Sequence, residues 1–151
     1  MNKICAGGCL CGKSRYEVDN EPVAGIVCHC RYCQLRSGSP FGNLIYFKKE
    51  NFILKEGELQ TYKFYTESGK EWINYFCKNC GTTVYCELEA SSGNIGIPGG
   101  SFDPPTFIFN INKEVFTRSR AHFVEQIKCD QSFETSKNYN PIKEDEDRLR
   151  G

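Results

Sequence analysis

Charge of one sign is nowhere in excess: nineteen Lys plus Arg balance nineteen Asp plus Glu, so the formal net charge is zero. A nucleic-acid-binding domain ordinarily carries a basic surplus or stripe, and this chain has none to support such a partner. Long hydrophobic runs are missing too. Nothing approaches the roughly 20 apolar residues that span a bilayer. The N-terminal stretch MNKICAGGCLCGK is interrupted by Gly and Cys and lacks the apolar centre of a signal peptide, so a cytoplasmic protein with no membrane partner is expected. No Ser/His/Asp set and no phosphate-cradling Gly loop offers a competing chemistry.

What the sequence has in abundance is cysteine, ten residues of it in 151. A secreted disulfide domain is usually shorter and carries a signal peptide. Spacing favours metal. Cys9 and Cys11, the trio Cys28, Cys30 and Cys33, and Cys77 with Cys80 are near neighbours that bridge each other only under strain, yet can grip one ion easily.

Two of these groups share a feature. Cys9-Leu10-Cys11 is followed by Gly12, and Cys77-Lys78-Asn79-Cys80 by Gly81. In a zinc knuckle the chain turns tightly so that backbone N–H groups face the sulfurs, and a glycine after the second Cys relieves the positive φ of that turn. Two knuckles with two ligands each make one closed Cys₄ site, the arrangement of structural zinc. Cys28, Cys30 and Cys33 would hold a second ion with one tetrahedral position open, the arrangement of catalytic zinc. Cys86, Cys5, Cys129 and His122 are available in the sequence as a fourth ligand instead. His29, wedged between two ligands, points away from them if the strand continues. Arg31 and Arg36 flank the cluster, as thiolate or substrate partners or as solvated charges. Asp103, before two prolines, reads as a turn former.

The class is mainly β. Short alternating segments rich in aromatic and β-branched residues read as antiparallel strands, among them Phe41–Phe47, Leu59–Thr66, Glu71–Phe76, Thr83–Leu88, Phe107–Ile111 and Glu114–Ser119. Only Cys30–Ser37 looks helical, closed by Gly38. A domain over 1–131 is followed by a polar tail over 132–151, ending PIKEDEDRLRG, with almost nothing to bury.

The order GGCLCGKSRYEV, CHCRYCQLRSG, FCKNCGTTVY, GGSFDPP resembles the glutathione-dependent formaldehyde-activating enzyme family, which also includes centromere protein V. The likeness runs from about Gly7 to about Phe123, with Phe52, Gly57, Tyr62, Gly69 and Phe76 as smaller landmarks. It departs near Phe123, where the family usually has a Trp. The resemblance implies packed, twisted antiparallel sheets with one short helix, stapled by zinc and similar to methionine-R-sulfoxide reductases. It implies two zinc ions per chain: a structural site of Cys9, Cys11, Cys77 and Cys80, and a catalytic site of Cys28, Cys30 and Cys33. The implied activity is that of a carbon–sulfur lyase, joining glutathione and formaldehyde into S-(hydroxymethyl)glutathione or reversing that step. Arg31, Arg36 and Lys13 are the cations expected near the substrate. The alternative is a non-catalytic zinc module for a protein partner, and a fourth protein ligand on the second ion would favour it.

Overall fold

The structure is a computed structural model and describes residues 3–19 and 21–150. Met1, Asn2, Asn20 and Gly151 lie outside the described residues, and with them the first positions of the expected 1–131 domain and the last of the expected tail. The strands are β1 (Ile4–Gly8), β2 (Arg15–Asp19), β3 (Ala24–Cys28), β4 (Gly42–Lys48), β5 (Phe52–Glu56) and β6 (Leu59–Tyr65). They continue with β7 (Glu71–Cys77), β8 (Thr83–Leu88), β9 (Asn94–Pro98), β10 (Lys113–Val115) and β11 (Gln131–Ser132). One α-helix, α1 (Arg31–Ser37), follows β3. A three-stranded sheet in the order β1-β2-β5 packs against an eight-stranded sheet in the order β11-β10-β3-β4-β9-β8-β7-β6. No helix among the described residues is long and apolar enough to cross a membrane.

Strand β4 shows how the faces divide. Its sequence GNLIYFK is nearly continuous in apolar residues because both sides are covered. Ile45 and Phe47 enter the core shared with the small sheet, beside Tyr16, Val18, Ile95 and Ile97. Leu44 and Tyr46 face the other way, toward Trp72, Cys86, Cys30 and Cys33. The first face is a packed interior: Phe47 is fully buried, and the Phe102 ring meets Tyr16 edge-on at 5.8 Å. The second face carries α1 and the cysteine trio.

Two expected strands differ. Phe107–Ile111 is not a strand: Phe107 adopts φ 54° and is exposed, while Phe109 and Ile111 pack against the core from a loop. The alternation there reflects burial of every second side chain without a ladder. Glu114–Ser119 shortens to β10, because Phe116 at φ 56° turns the chain into a 3₁₀ turn over Thr117–Ser119. β10 runs parallel to β3 and β11, whereas the other pairings are antiparallel. Beyond β11 the polar segment is tied to the molecule. Phe116 N–H donates to Thr135 O, Ile142 N–H to Glu67 O, and Tyr32 O–H to Asp145 Oδ2 at 2.5 Å.

Candidate metal centres and active site

The two knuckles form at hairpin turns at the ends of β1–β2 and β7–β8. In each, a backbone pair closes the turn: Cys9 N–H to Ser14 O at 3.1 Å, and Cys77 N–H to Thr82 O at 2.9 Å. Gly12 (φ 79°) and Gly81 (φ 77°) take the left-handed conformation expected of them, and open space surrounds both Cα positions. The backbone angle, then, is what demands glycine there. The folded chain brings the Cys9, Cys11, Cys77 and Cys80 sulfurs within 4.8 Å of one another. Cys9 and Cys11 sulfurs are 3.5 Å apart, Cys11 and Cys77 sulfurs 3.9 Å. A tetrahedron with Zn–S bonds of about 2.3 Å has edges of about 3.8 Å, so this donor set fits zinc.

Thr82 couples the two turns. Its hydroxyl accepts from Leu10 N–H at 3.2 Å and lies 3.2 Å from Cys80 Sγ. The Thr82 hydroxyl and N–H lower the Cys80 thiol to about 5, which favours the thiolate a metal needs. Ser14 N–H donates to Cys9 Sγ at 3.2 Å.

Cys28 ends β3, Cys30 caps α1, and Cys33 lies in its first turn. Cys33 N–H donates to Cys30 Sγ at 3.4 Å, so the cap of the helix is itself one of the clustered thiols. The three sulfurs lie within 4.8 Å of one another, and no fourth His, Cys, Asp or Glu ligand atom joins them among the described residues. Gly42 allows this approach, since a Cβ there would meet Cys33 Cβ at 3.1 Å and the Arg36 guanidinium at 2.6 Å. Hydrogen bonds from the Cys28 and Cys30 thiols, opposed by burial and helped by Arg36, hold the Cys33 thiol well below its ordinary range; hydrogen bonding to Cys30 and Cys33, together with burial, pushes Cys28 well above. Arg36 lies over the Trp72 ring at 5.3 Å, and its Nε and Nη2 are buried without a hydrogen-bond partner. Three thiolates around a divalent ion leave one negative charge, and a buried guanidinium with unpaired donors is its complement. This donor set also fits zinc.

A cavity of about 340 Å³ opens over the trio. Leu44, Tyr46, Trp72 and Leu88 of the large sheet wall one side, and Phe116, Phe133 and Tyr139 wall another. Residues past Ser132 thus border the cavity, where the composition promised almost nothing to bury. The cations differ from expectation as well. Arg31 lines the cavity, Arg36 sits beneath it on Trp72, and Lys13 belongs to the first knuckle. Lys70, Lys113 and Lys137 line it beside Arg31.

Behind the trio is a buried polar network that the sequence motifs do not announce. His29 is fully buried and turned to the opposite side of β3, where its Nε2 meets Glu114 Oε2 at 2.9 Å. Arg120 Nη2 donates to Glu114 Oε1 at 2.6 Å, and Ile127 N–H to Oε2 at 3.3 Å. Burial pushes the Glu114 carboxyl up, but Arg120, His29 and the Ile127 N–H outweigh it and hold it below the carboxylate range. An ionised Glu114 requires the hydrogen on His29 Nε2. The network anchors the one residue between Cys28 and Cys30.

The remaining candidates lie elsewhere. Cys86 is fully buried and donates to Asn74 Oδ1 at 3.1 Å; burial raises its thiol to about 11. Cys5 is on β1, paired with Val18, and Cys129 Sγ donates to Gln131 O at 3.2 Å. The His122 ring packs on Phe123. Asp103 pairs with Arg15, tying its turn to β2.

Comparison with known proteins agrees with this architecture. Residues 4–119 match the family described as glutathione-dependent formaldehyde-activating enzyme. An uncharacterized lyase of Schizosaccharomyces pombe is 35% identical over 79 residues, which is 52% of this chain and 54% of that protein. The match therefore spans about half the length of that relative. The crystal structure of a Rhodobacter sphaeroides protein superposes with a TM-score of 0.54 at 20% identity, covering 66% of this chain and 88% of the other. At that identity the likeness is one of fold.

Proposed function

The chain belongs to the glutathione-dependent formaldehyde-activating enzyme family, and from that premise we propose that it is a zinc-dependent carbon–sulfur lyase acting on the adduct of a small thiol and an aldehyde. The supporting observation is the placement of Cys28, Cys30 and Cys33 at the floor of the cavity, with no fourth protein ligand among the described residues. A zinc ion held by these thiols would supply a Lewis-acidic position for a substrate sulfur and favour its thiolate form. The chain's own residues do the rest. Arg36 offsets the charge of the thiolates. The apolar walls exclude bulk water and orient the adduct over the trio. In one direction a C–S bond forms between thiol sulfur and aldehyde carbon while the thiol proton ends on the carbonyl oxygen; the reverse breaks that bond and returns the proton to sulfur.

In the same reading Cys9, Cys11, Cys77 and Cys80 hold a second, structural zinc, and Phe133, Lys137, Tyr139 and Leu149 of the polar segment belong to the working unit as a border of the cavity. A fourth protein ligand would favour the non-catalytic alternative, and neither Cys86, Cys5, Cys129 nor His122 joins the trio. The test is exchange NMR of glutathione and formaldehyde with their S-(hydroxymethyl)glutathione adduct, less the uncatalysed rate. Acceleration for glutathione or for another small thiol by the metal-loaded protein, lost in Cys30→Ser while the fold persists, is expected. No acceleration of this or any other thiol adduct at full metal occupancy would reject the proposal.

A further inference from the structure

Resting on the lyase reading, we infer that the thiol handled by this site carries an apolar, ring-sized body and a carboxylate, and is not a polar tripeptide. The cavity over the trio is about 340 Å³, room for one small ligand, and much of its wall is hydrocarbon and aromatic. Two of the lining rings, Tyr32 and Trp72, are braced by Phe64, on which Tyr32 stacks at 5.5 Å and which stacks on Trp72 at 5.6 Å. Glutathione would bring two peptide groups, an ammonium and two carboxylates against Leu44, Leu88 and Phe116. Each polar group buried there without a partner is penalised.

The charges at the cavity are unevenly committed. Glu71 is engaged by Lys63 at 3.2 Å and by Tyr65 O–H, and Glu67 by Arg118 at 3.5 Å. Lys70 approaches Glu89 at 3.9 Å. Lys113 and Lys137 line the same cavity, and no ion pair involves either among the described residues. Arg31 likewise spends its hydrogen bonds on Gln34 and on Arg148 O, both neutral. Lys113 has its place by register. It is opposite Ile26 on β3, two residues from the Val115–Cys28 pair, so Lys113 and Val115 share the cavity face while Glu114 turns to His29. Cations without carboxylates, beside apolar walls and a thiol floor, are complementary to an amphipathic anion.

The test uses probes without a thiol, so that recognition is separated from sulfur chemistry. Trp72, the single tryptophan, lines the cavity and is 7% exposed, and its emission reports occupancy. The full-length, metal-loaded protein is titrated with 3-phenylpropanoate, with the neutral 3-phenylpropan-1-ol, and with glutarate as an anion lacking the ring. We expect saturable binding of 3-phenylpropanoate, about fivefold tighter than the alcohol at low salt, and weaker binding of glutarate than of either. Lys113→Gln combined with Lys137→Gln should bring the acid and the alcohol to equal affinity without changing alcohol binding. Glutarate binding as tightly as 3-phenylpropanoate, or a carboxylate preference surviving the double substitution, overturns the inference. If these probes fail while glutathione–formaldehyde exchange is accelerated, only this inference falls. If they bind as expected while no thiol adduct is turned over, only the lyase reading falls.

Discussion

The two cysteine groups are built from opposite materials. The Cys₄ group joins two hairpin turns 66 residues apart between Cys11 and Cys77, with Cys11 exposed and Cys80 half-buried. The trio comes from one short stretch, buried under α1 beside a cavity, with Cys33 1% exposed. A site that ties distant turns together closes a long loop, so a metal held there would act on the whole fold. A site that lies within one segment adds little closure. Its neighbours, Arg36 above Trp72 and the walls of the cavity, favour chemistry over clamping.

The largest effect expected is loss of the fold when the clamp fails. Structural zinc supplies roughly 10 kcal/mol or more of folding free energy. Cys77→Ser or Cys11→Ser should therefore unfold or aggregate the protein, while Cys30→Ser should stay folded and hold less metal. Mass spectrometry of the native protein should count close to two zinc ions per chain, the trio losing its ion first to a chelator. Equal melting of both kinds of variant would erase the contrast between the sites.

Next comes the network behind the trio. Removing one partner of a buried ion pair costs about 3–5 kcal/mol, so Arg120→Ala should lower the denaturation midpoint by that equivalent. Its pH dependence has a definite sign. The Glu114 carboxyl is depressed below 4.5, so its contribution is complete above that value and is lost as pH falls through the depressed one. Glu114→Gln should therefore be less stable than wild type at neutral pH, and the gap should narrow on acidification below about pH 4.5. A gap that widened would mean that Glu114 is protonated in the native state.

Smaller effects separate the knuckle's hydrogen bonds from its surface charge. Thr82→Val removes the hydroxyl shared by Leu10 N–H and Cys80 Sγ and should cost about 1 kcal/mol, with faster zinc loss from the Cys₄ group. Lys78→Ala breaks an exposed pair with Glu58 between two ligand positions and should change the denaturation midpoint by less than about 1 kcal/mol. A larger Lys78 effect would shift the stabilising role from sulfur to surface charge.

Much of this was legible along the chain because it is local. CxCG and CxxCG specify turns whose glycine must take positive φ, and Gly12 and Gly81 do. Cys30 through Gly38 carries its own cap and stop, and α1 with its left-handed Gly38 follows. Phe41–Phe47 reads as a strand and β4 is one, but that both its faces are covered, and which one holds the cavity, is seen only in the fold. Other features escaped because they depend on partners far away. His29 and Glu114 are 85 residues apart, and nothing beside either marks the other. The Phe107–Ile111 alternation looked like a strand because burial of every second residue is common to ladders and to loops crossing a core.

By itself, then, the sequence determined the thiol groups, the turns that present them, the single helix and the mainly β class, since each is encoded by residues within one or two turns of one another. Only the tertiary structure decided that β10 pairs in parallel with β3 and that His29 is held by Glu114 and Arg120. It also set Phe133 and Tyr139 against the cavity, and left Lys113 and Lys137 there with no ion pair among the described residues. These are matters of which distant segments share a sheet face. That choice is made by burying apolar surface over the whole chain, a collective quantity that no short pattern records.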